Sequence, residues 1–203
     1  MNNWKIYTDN TCKIEVKKIT SRYIIEEFGS CLTDFFKCKY KSEKTTFIKD
    51  RLTGLAIKEL VGKPKYKTYS NKISPHLRKE NGGQFKNKEW LYDLHWYTES
   101  DSEPYMPIAL PLIVECEWNP KRNEDSKNSY SGIKYDFQKL LVSNADLRLM
   151  IFSVKKESEI SELNDYFDRA INSYIHLTKG SKFLFIAFDE KVRRFFYTEK
   201  RKI

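Results

Sequence analysis

Cysteine is scarce in this chain and falls into no motif. Cys12, Cys31, Cys38 and Cys116 form no C-x-x-C and have no histidine at zinc-finger spacing, so neither a structural zinc site nor a disulfide framework is indicated. Thiols in that arrangement suit a reducing compartment, and a cytoplasmic location is expected. Histidine is as sparse: His76, His95 and His176 are scattered. No serine stands in a G-x-S-x-G elbow and no glycine-rich loop is placed to cradle phosphates, which removes two common hydrolase and nucleotide-binding signatures. No apolar run approaches the roughly 20 residues needed to cross a bilayer. The first residues, MNNWKIY, lack the apolar core of a secretion signal, and no membrane partner is expected. Internal repeats and low-complexity linkers are absent too.

What the chain does have is aromatic side chains and positive charge. An aromatic content of 15% and a hydrophobic content of 40% over 203 residues suit one folded domain with a sizeable core. The net charge of +9 favours a polyanionic partner, of which nucleic acid is the commonest.

The carboxylates that matter interrupt apolar strands. Glu89–Tyr97 (EWLYDLHWY) and Leu110–Trp118 (LPLIVECEW) are aromatic and β-branched, and turn-forming sequence bounds both. Asp93 lies inside the first, and Glu115 and Glu117 follow the apolar run of the second. Alternation along a strand points Glu115 and Glu117 to one side, about 6–7 Å apart. Like charges so placed repel, and near a core they also lose hydration. A divalent cation relieves both costs, with Asp93 of the neighbouring strand as a third oxygen ligand. His95, on the same strand face as Asp93, either borders the site or, the favoured reading, is a partly buried structural histidine. The alternative for the acids is a solvated face, since E-x-E is a short motif.

The remaining elements follow in order. A short N-terminal hairpin (Trp4–Tyr7 and Cys12–Lys18) precedes a helix whose stripe runs from Tyr23 to Phe36. A second helix is expected to start at Thr45 or Thr46 and to end at Gly62 and Pro64, with Phe47, Ile48, Leu52, Leu55 and Ala56 on its apolar side. Glu59 in its last turn opposes the helix dipole, so it serves either as an exposed partner of Lys58 or Lys63 or as part of the site. Lys65–Ile73 reads as a strand and Ser74–Lys88 as a loop. After the two acidic strands, Asn119–Ser131 is a polar loop whose Lys121, Arg122 and Lys127 could meet a phosphate backbone. Ile133–Val142 reads as a helix with Asp136 and Lys139 one turn apart on its flank. Leu147–Val154 reads as a buried strand, Ser158–Leu177 as a long helix, Phe183–Phe188 as a strand and Arg193–Tyr197 as an edge strand. The tail Lys200–Lys202 is expected to fray. Antiparallel strands followed by strand–helix–strand crossovers make an α/β protein with a mixed central sheet flanked by helices.

Asp93, then Glu115-x-Glu117 at the end of an apolar strand, then a helix and a strand, resembles the PD-(D/E)XK nuclease superfamily. The resemblance covers roughly Phe47 to Phe188. It implies a restriction-endonuclease-like core of order αβββαβ in residues 45–203, with residues 1–44 as an N-terminal extension of hairpin and helix. Asp93 and Glu115 match the metal-binding acids, and Glu59 matches the acid often carried by the first helix. Glu117 stands where a lysine is common, and Lys139, in Asp136-Phe137-Gln138-Lys139, matches the position of a lysine that has migrated to the following helix. The implied activity is Mg²⁺- or Mn²⁺-dependent hydrolysis of DNA, as an endonuclease in a restriction, defence or mobile-element setting. Lys121, Arg122 and Lys127 would contact DNA, and a homodimer or a partner subunit is compatible with it. The runner-up is a catalytically inactive member of the fold that binds DNA or assembles a complex, which the lost motif lysine favours.

Overall fold

The structure is a computed structural model that describes residues 4–6, 24–29, 34–57, 66–70, 73–80, 91–122 and 127–203. The chain is mixed α/β, with seven strands among the described residues. It divides into two compact units, Met1–Thr8 with Val114–Ile203, and Asp9–Ile113.

The first unit takes its strands from both ends of the sequence. β1 (Lys5–Ile6) pairs antiparallel with β7 (Arg194–Arg201), Lys5 opposite Tyr197. β7 pairs antiparallel with β6 (Lys182–Asp189), and β6 runs parallel to β5 (Leu147–Val154). The Val114–Glu117 end of β4 (Pro107–Glu117) also belongs to this unit. All eight residues of β5 are buried, the mark of a strand covered on both faces, and its sequence LRLMIFSV accordingly shows no alternation. Parallel β5 and β6 need a crossover, supplied by α4 (Ser158–Ser173), whose buried Ile160, Leu163, Phe167 and Ile171 recur at helical spacing. Phe167 stacks on Phe185 with ring centres 4.3 Å apart and tilts against Phe137 of α3 (Ser131–Leu141) at 4.8 Å. The core therefore sits where α3 and α4 meet β6.

The turn from α3 into β5 is locked by Arg148. Its buried guanidinium donates to the carbonyls of Leu140, Ala145 and Ser143 at 3.2, 2.8 and 2.6 Å and lies over the Phe183 ring. Carbonyls at a helix C-terminus lack intrahelical partners, so this cation fixes the end of the helix that carries Lys139. The tail does not fray: Lys200 reaches Asp168 at 2.7 Å, and the Lys202 ammonium donates to the Asn172 carbonyl. Two anchors on α4 outweigh the tendency of a basic terminus to stay in water.

In the second unit, α1 (Lys41–Ile57) begins a turn before the expected Thr45 or Thr46. Glu43 is the reason, because its carboxylate reaches back to accept the N–H groups of Lys39 and Tyr40 at 2.7 and 3.1 Å. β2 (Lys67–Ser70) pairs antiparallel with β3 (Leu94–Glu99), Lys67 opposite Tyr97. The stretch read as a loop from Ser74 contains a short helix, α2 (Pro75–Glu80). Proline suits a first helical position, and Asp50 accepts both the N–H and the hydroxyl of Ser74 just before it. β3 and the Pro107–Ile113 part of β4 are joined through a turn in which the Ser100 N–H donates to the Met106 carbonyl and Tyr105 takes a left-handed φ of 63°. No helix among the described residues is long and apolar enough to cross a membrane.

Candidate functional site

The apolar run of β4 decides where its acids go. Leu112, Ile113, Val114 and Cys116 are buried, and Glu115 is carried in with them, its side chain only 2% exposed. A carboxylate so enclosed is expensive unless paired. Lys139 of α3 supplies the pairing, with Nζ 3.0 Å from Glu115 Oε2 and 2.8 Å from Asp136 Oδ1. Burial works against the Lys139 ammonium, but the charges of Glu115 and Asp136 outweigh it and hold the group above the ordinary lysine range. The helix is seated by buried Ile133, Phe137 and Leu140, which leaves Asp136 and Lys139 on the flank that meets β4.

Glu117, two residues on, points the same way, as strand alternation requires. Its Oε1 accepts the Asn119 N–H at 2.6 Å. Burial pushes its carboxyl above the usual carboxylate range; the Asn119 N–H opposes that shift, and the neighbouring Asp136 adds to it. Three carboxylates and one ammonium thus share this patch, and the excess negative charge sits beside a half-buried cation.

A glycine makes the approach possible. A Cβ at Gly132 would stand 2.3 Å from the Asn119 carbonyl oxygen and 3.3 Å from Glu117 Oε2. The Gly132 N–H donates to the Pro120 carbonyl at 3.3 Å, and the Arg122 N–H to the Ser131 hydroxyl at 2.9 Å. The loop leaving β4 is therefore fastened to the first turn of α3, which brings the acids of the strand and the lysine of the helix to one place.

Asp93 belongs to the second unit and lies just before β3 rather than within a strand. Its Oδ1 is 3.2 Å from Nζ of Lys49, whose side chain is 3% exposed on α1. Lys49 escaped the sequence reading, although its spacing with Leu52, Thr53 and Ala56 places it on the buried stripe of α1. His95 is buried, its ring parallel to that of Tyr69 with centres 5.4 Å apart; burial pulls its imidazole down to about 4. Glu59 lies outside the described residues. Lys121 and Lys127 are exposed, whereas Arg122 is half-buried with its guanidinium over the Tyr135 ring.

Among the described residues, no group of three or more His, Cys, Asp or Glu side chains is gathered closely enough to hold a metal ion. The donor chemistry of the β4 patch still fits a hard cation. Mg²⁺ commonly keeps several waters and takes only one or two carboxylates from the protein, the rest of its shell coming from substrate phosphate. Glu115 and Glu117 offer oxygen ligands of that kind. Comparisons of the chain with family models, curated proteins and solved structures return no match.

Proposed function

We propose that this chain is a metal-dependent nuclease that hydrolyses phosphodiester bonds in DNA, built on a restriction-endonuclease-like core and acting as an endonuclease in a restriction, defence or mobile-element setting. The observation that carries the proposal is Glu115, enclosed at the end of β4 with the Lys139 ammonium of the next helix 3.0 Å away. Buried acids beside a lysine cost stability, and such arrangements concentrate at functional sites. The strand-end acids followed by a helix-borne lysine support the superfamily resemblance, and the net charge of +9 supports a polyanionic substrate.

Glu115 and Glu117 would hold Mg²⁺ or Mn²⁺, which when bound supplies positive charge against the scissile phosphate and acidifies the attacking water. The chain's own groups do the rest. Lys139, held charged by Glu115 and Asp136, offsets the negative charge that builds on the phosphate. Glu117 would orient the attacking water, whose proton passes to solvent.

The test is cleavage of supercoiled and linear plasmid by wild type, Glu115→Gln and Asp93→Ala in Mg²⁺, Mn²⁺ or EDTA. Asp93→Ala probes the third oxygen ligand expected from the sequence. Metal-dependent nicking lost in Glu115→Gln, with the circular dichroism spectrum intact, is the expected result. Equal nicking in EDTA, or by Glu115→Gln, would refute it. DNA binding without cutting in either metal would point instead to the inactive, DNA-binding member of the fold.

A further inference from the structure

The edge of the first unit that carries the acidic patch also carries unpaired positive charge. Strand register fixes which residues share that edge. β5 and β6 are parallel, so Val154 and Asp189 end together, and antiparallel β7 begins beside them at Arg194. The Glu190 N–H donates to the Val154 carbonyl at 2.9 Å, and the Ser153 hydroxyl to the Trp118 carbonyl at 3.2 Å, which brings the exit of β4 to the same edge. Glu117 is therefore followed along one sheet edge by two turns. The turn after β5 carries Lys155 and Lys156, and the turn from β6 to β7 carries Lys191 and Arg194. All four cations are exposed, and none has an ion-pair partner among the described residues.

The turn that presents two of them is built to hold its shape. Buried Asp189 directs Oδ1 of its carboxylate onto the Lys191 and Val192 N–H groups at 2.8 and 3.2 Å, and Arg193 takes a left-handed φ of 53°. Arg194 stands opposite Asp189 in the ladder, yet that oxygen is given to the backbone. The exposed acids of the two turns are Glu157 and Glu190, while the Glu159 carboxylate accepts the Lys155 N–H at 2.8 Å. A DNA strand that reaches Lys139 is repelled by Glu115, Glu117 and Asp136, so cations are needed where it runs past them. From β4 to β7 the edge spans three strand spacings, about 14 Å. At about 3.4 Å per nucleotide along one strand, that distance covers about four nucleotides. We infer that Lys155, Lys156, Lys191 and Arg194 bind the DNA backbone phosphates that neighbour the one presented to Lys139 and Glu115. This rests on the nuclease reading and names the surface along which the substrate lies.

The opposite edge of the same strands supplies the control. There Lys182 faces Arg201 across β6 and β7, and Lys179 precedes them. Arg169 lies towards the end of α4 that Lys202 ties to that edge. The test is fluorescence anisotropy of a labelled 20-base-pair duplex with KCl from 50 to 200 mM, in Ca²⁺, a hard cation that suits oxygen ligands. Wild type is compared with two variants of equal net charge. One combines Lys155→Gln, Lys156→Gln, Lys191→Gln and Arg194→Gln; the other combines Arg169→Gln, Lys179→Gln, Lys182→Gln and Arg201→Gln. Each lost phosphate contact lowers the salt slope by about 0.9, so the first variant is expected to lose about 2–4 and the second less than about 1. A slope unchanged in the first variant, or lowered equally in both, would overturn this inference and leave the nuclease reading to the plasmid test. Failure of wild type to bind the duplex at 50 mM KCl would overturn both.

Discussion

Replacing Lys139 with methionine should destabilise the protein far more than a surface lysine would. The Glu115 side chain is 2% exposed and Lys139 28% exposed, with 3.0 Å between their charged atoms. Removing one partner of a buried pair leaves the other charge uncompensated, at a cost of about 3–5 kcal/mol; with Lys139 partly in contact with water, about 2–3 is expected here. Exposed pairs, by comparison, lose less than about 1 kcal/mol. The variant can recover by protonating Glu115, whose pKa in the folded state then rises above its unfolded value of about 4.3. The penalty is therefore full at pH 8 and shrinks as the pH falls through the raised folded value, opposite to the trend of a normally paired carboxylate. Glu115→Gln introduced together with Lys139→Met should return most of the loss, giving a coupling energy of about 2 kcal/mol in a double-mutant cycle. Urea unfolding followed at 222 nm at pH 8.0 and 5.5 reads all of these quantities. A loss below about 1 kcal/mol at pH 8, with a pH profile parallel to wild type, would refute the idea that Glu115 depends on Lys139.

Two further substitutions test other parts of the structure. His95 is held neutral, its pKa lowered from 6.5 to about 4; the unfolded chain then binds a proton that the folded chain refuses, so stability is full above about pH 7 and falls through the window between those two values. His95→Phe, which keeps the stack on Tyr69, should lose about 2.5 kcal/mol less than wild type between pH 7.5 and 4.5, and parallel losses would show that the imidazole is not excluded from protonation. Gly132→Ala pits helix propensity, which favours alanine by about 1 kcal/mol, against the 2.3 Å approach to the Asn119 carbonyl. Backbone is the obstacle, so a net loss of about 1–3 kcal/mol in urea unfolding is expected, and a gain would mean that the β4 exit loop yields freely.

The apolar strands announced themselves because β5 and β6 are covered on both faces, and nothing but a buried environment suits LRLMIFSV or KFLFIAFD. Lys139 was legible as well, since Asp136 and Lys139 share a helix flank whatever the tertiary contacts are. Positions set by contacts distant in sequence were less legible. Lys49 looks like one charge among many in KSEKTTFIKD, and its ion-pair partner Asp93 lies far along the chain. The start of α1 was misplaced because threonine is a common cap, while the cap in use is a carboxylate reaching backwards from inside the helix. The helix after Ser74 was missed because its support comes from Asp50, again from elsewhere in the chain. The Arg122–Tyr135 stack needs the polar loop after β4 to fold back on α3, and composition alone describes such a loop only as solvated.

The pairing of Lys5 with Tyr197 gives the first unit an unusual dependence on time. A ribosome adding about 5–20 residues per second makes the two partners roughly 10–40 seconds apart. Through that interval the N-terminal strand waits without β7, and the whole Asp9–Ile113 segment emerges before any residue of Val114–Ile203. Trp4, whose indole donates to Asn164 at 2.9 Å and whose ring meets Phe152 edge-on, must wait as well. During synthesis the second unit can organise first, while closure of the first unit is deferred to the last strand made.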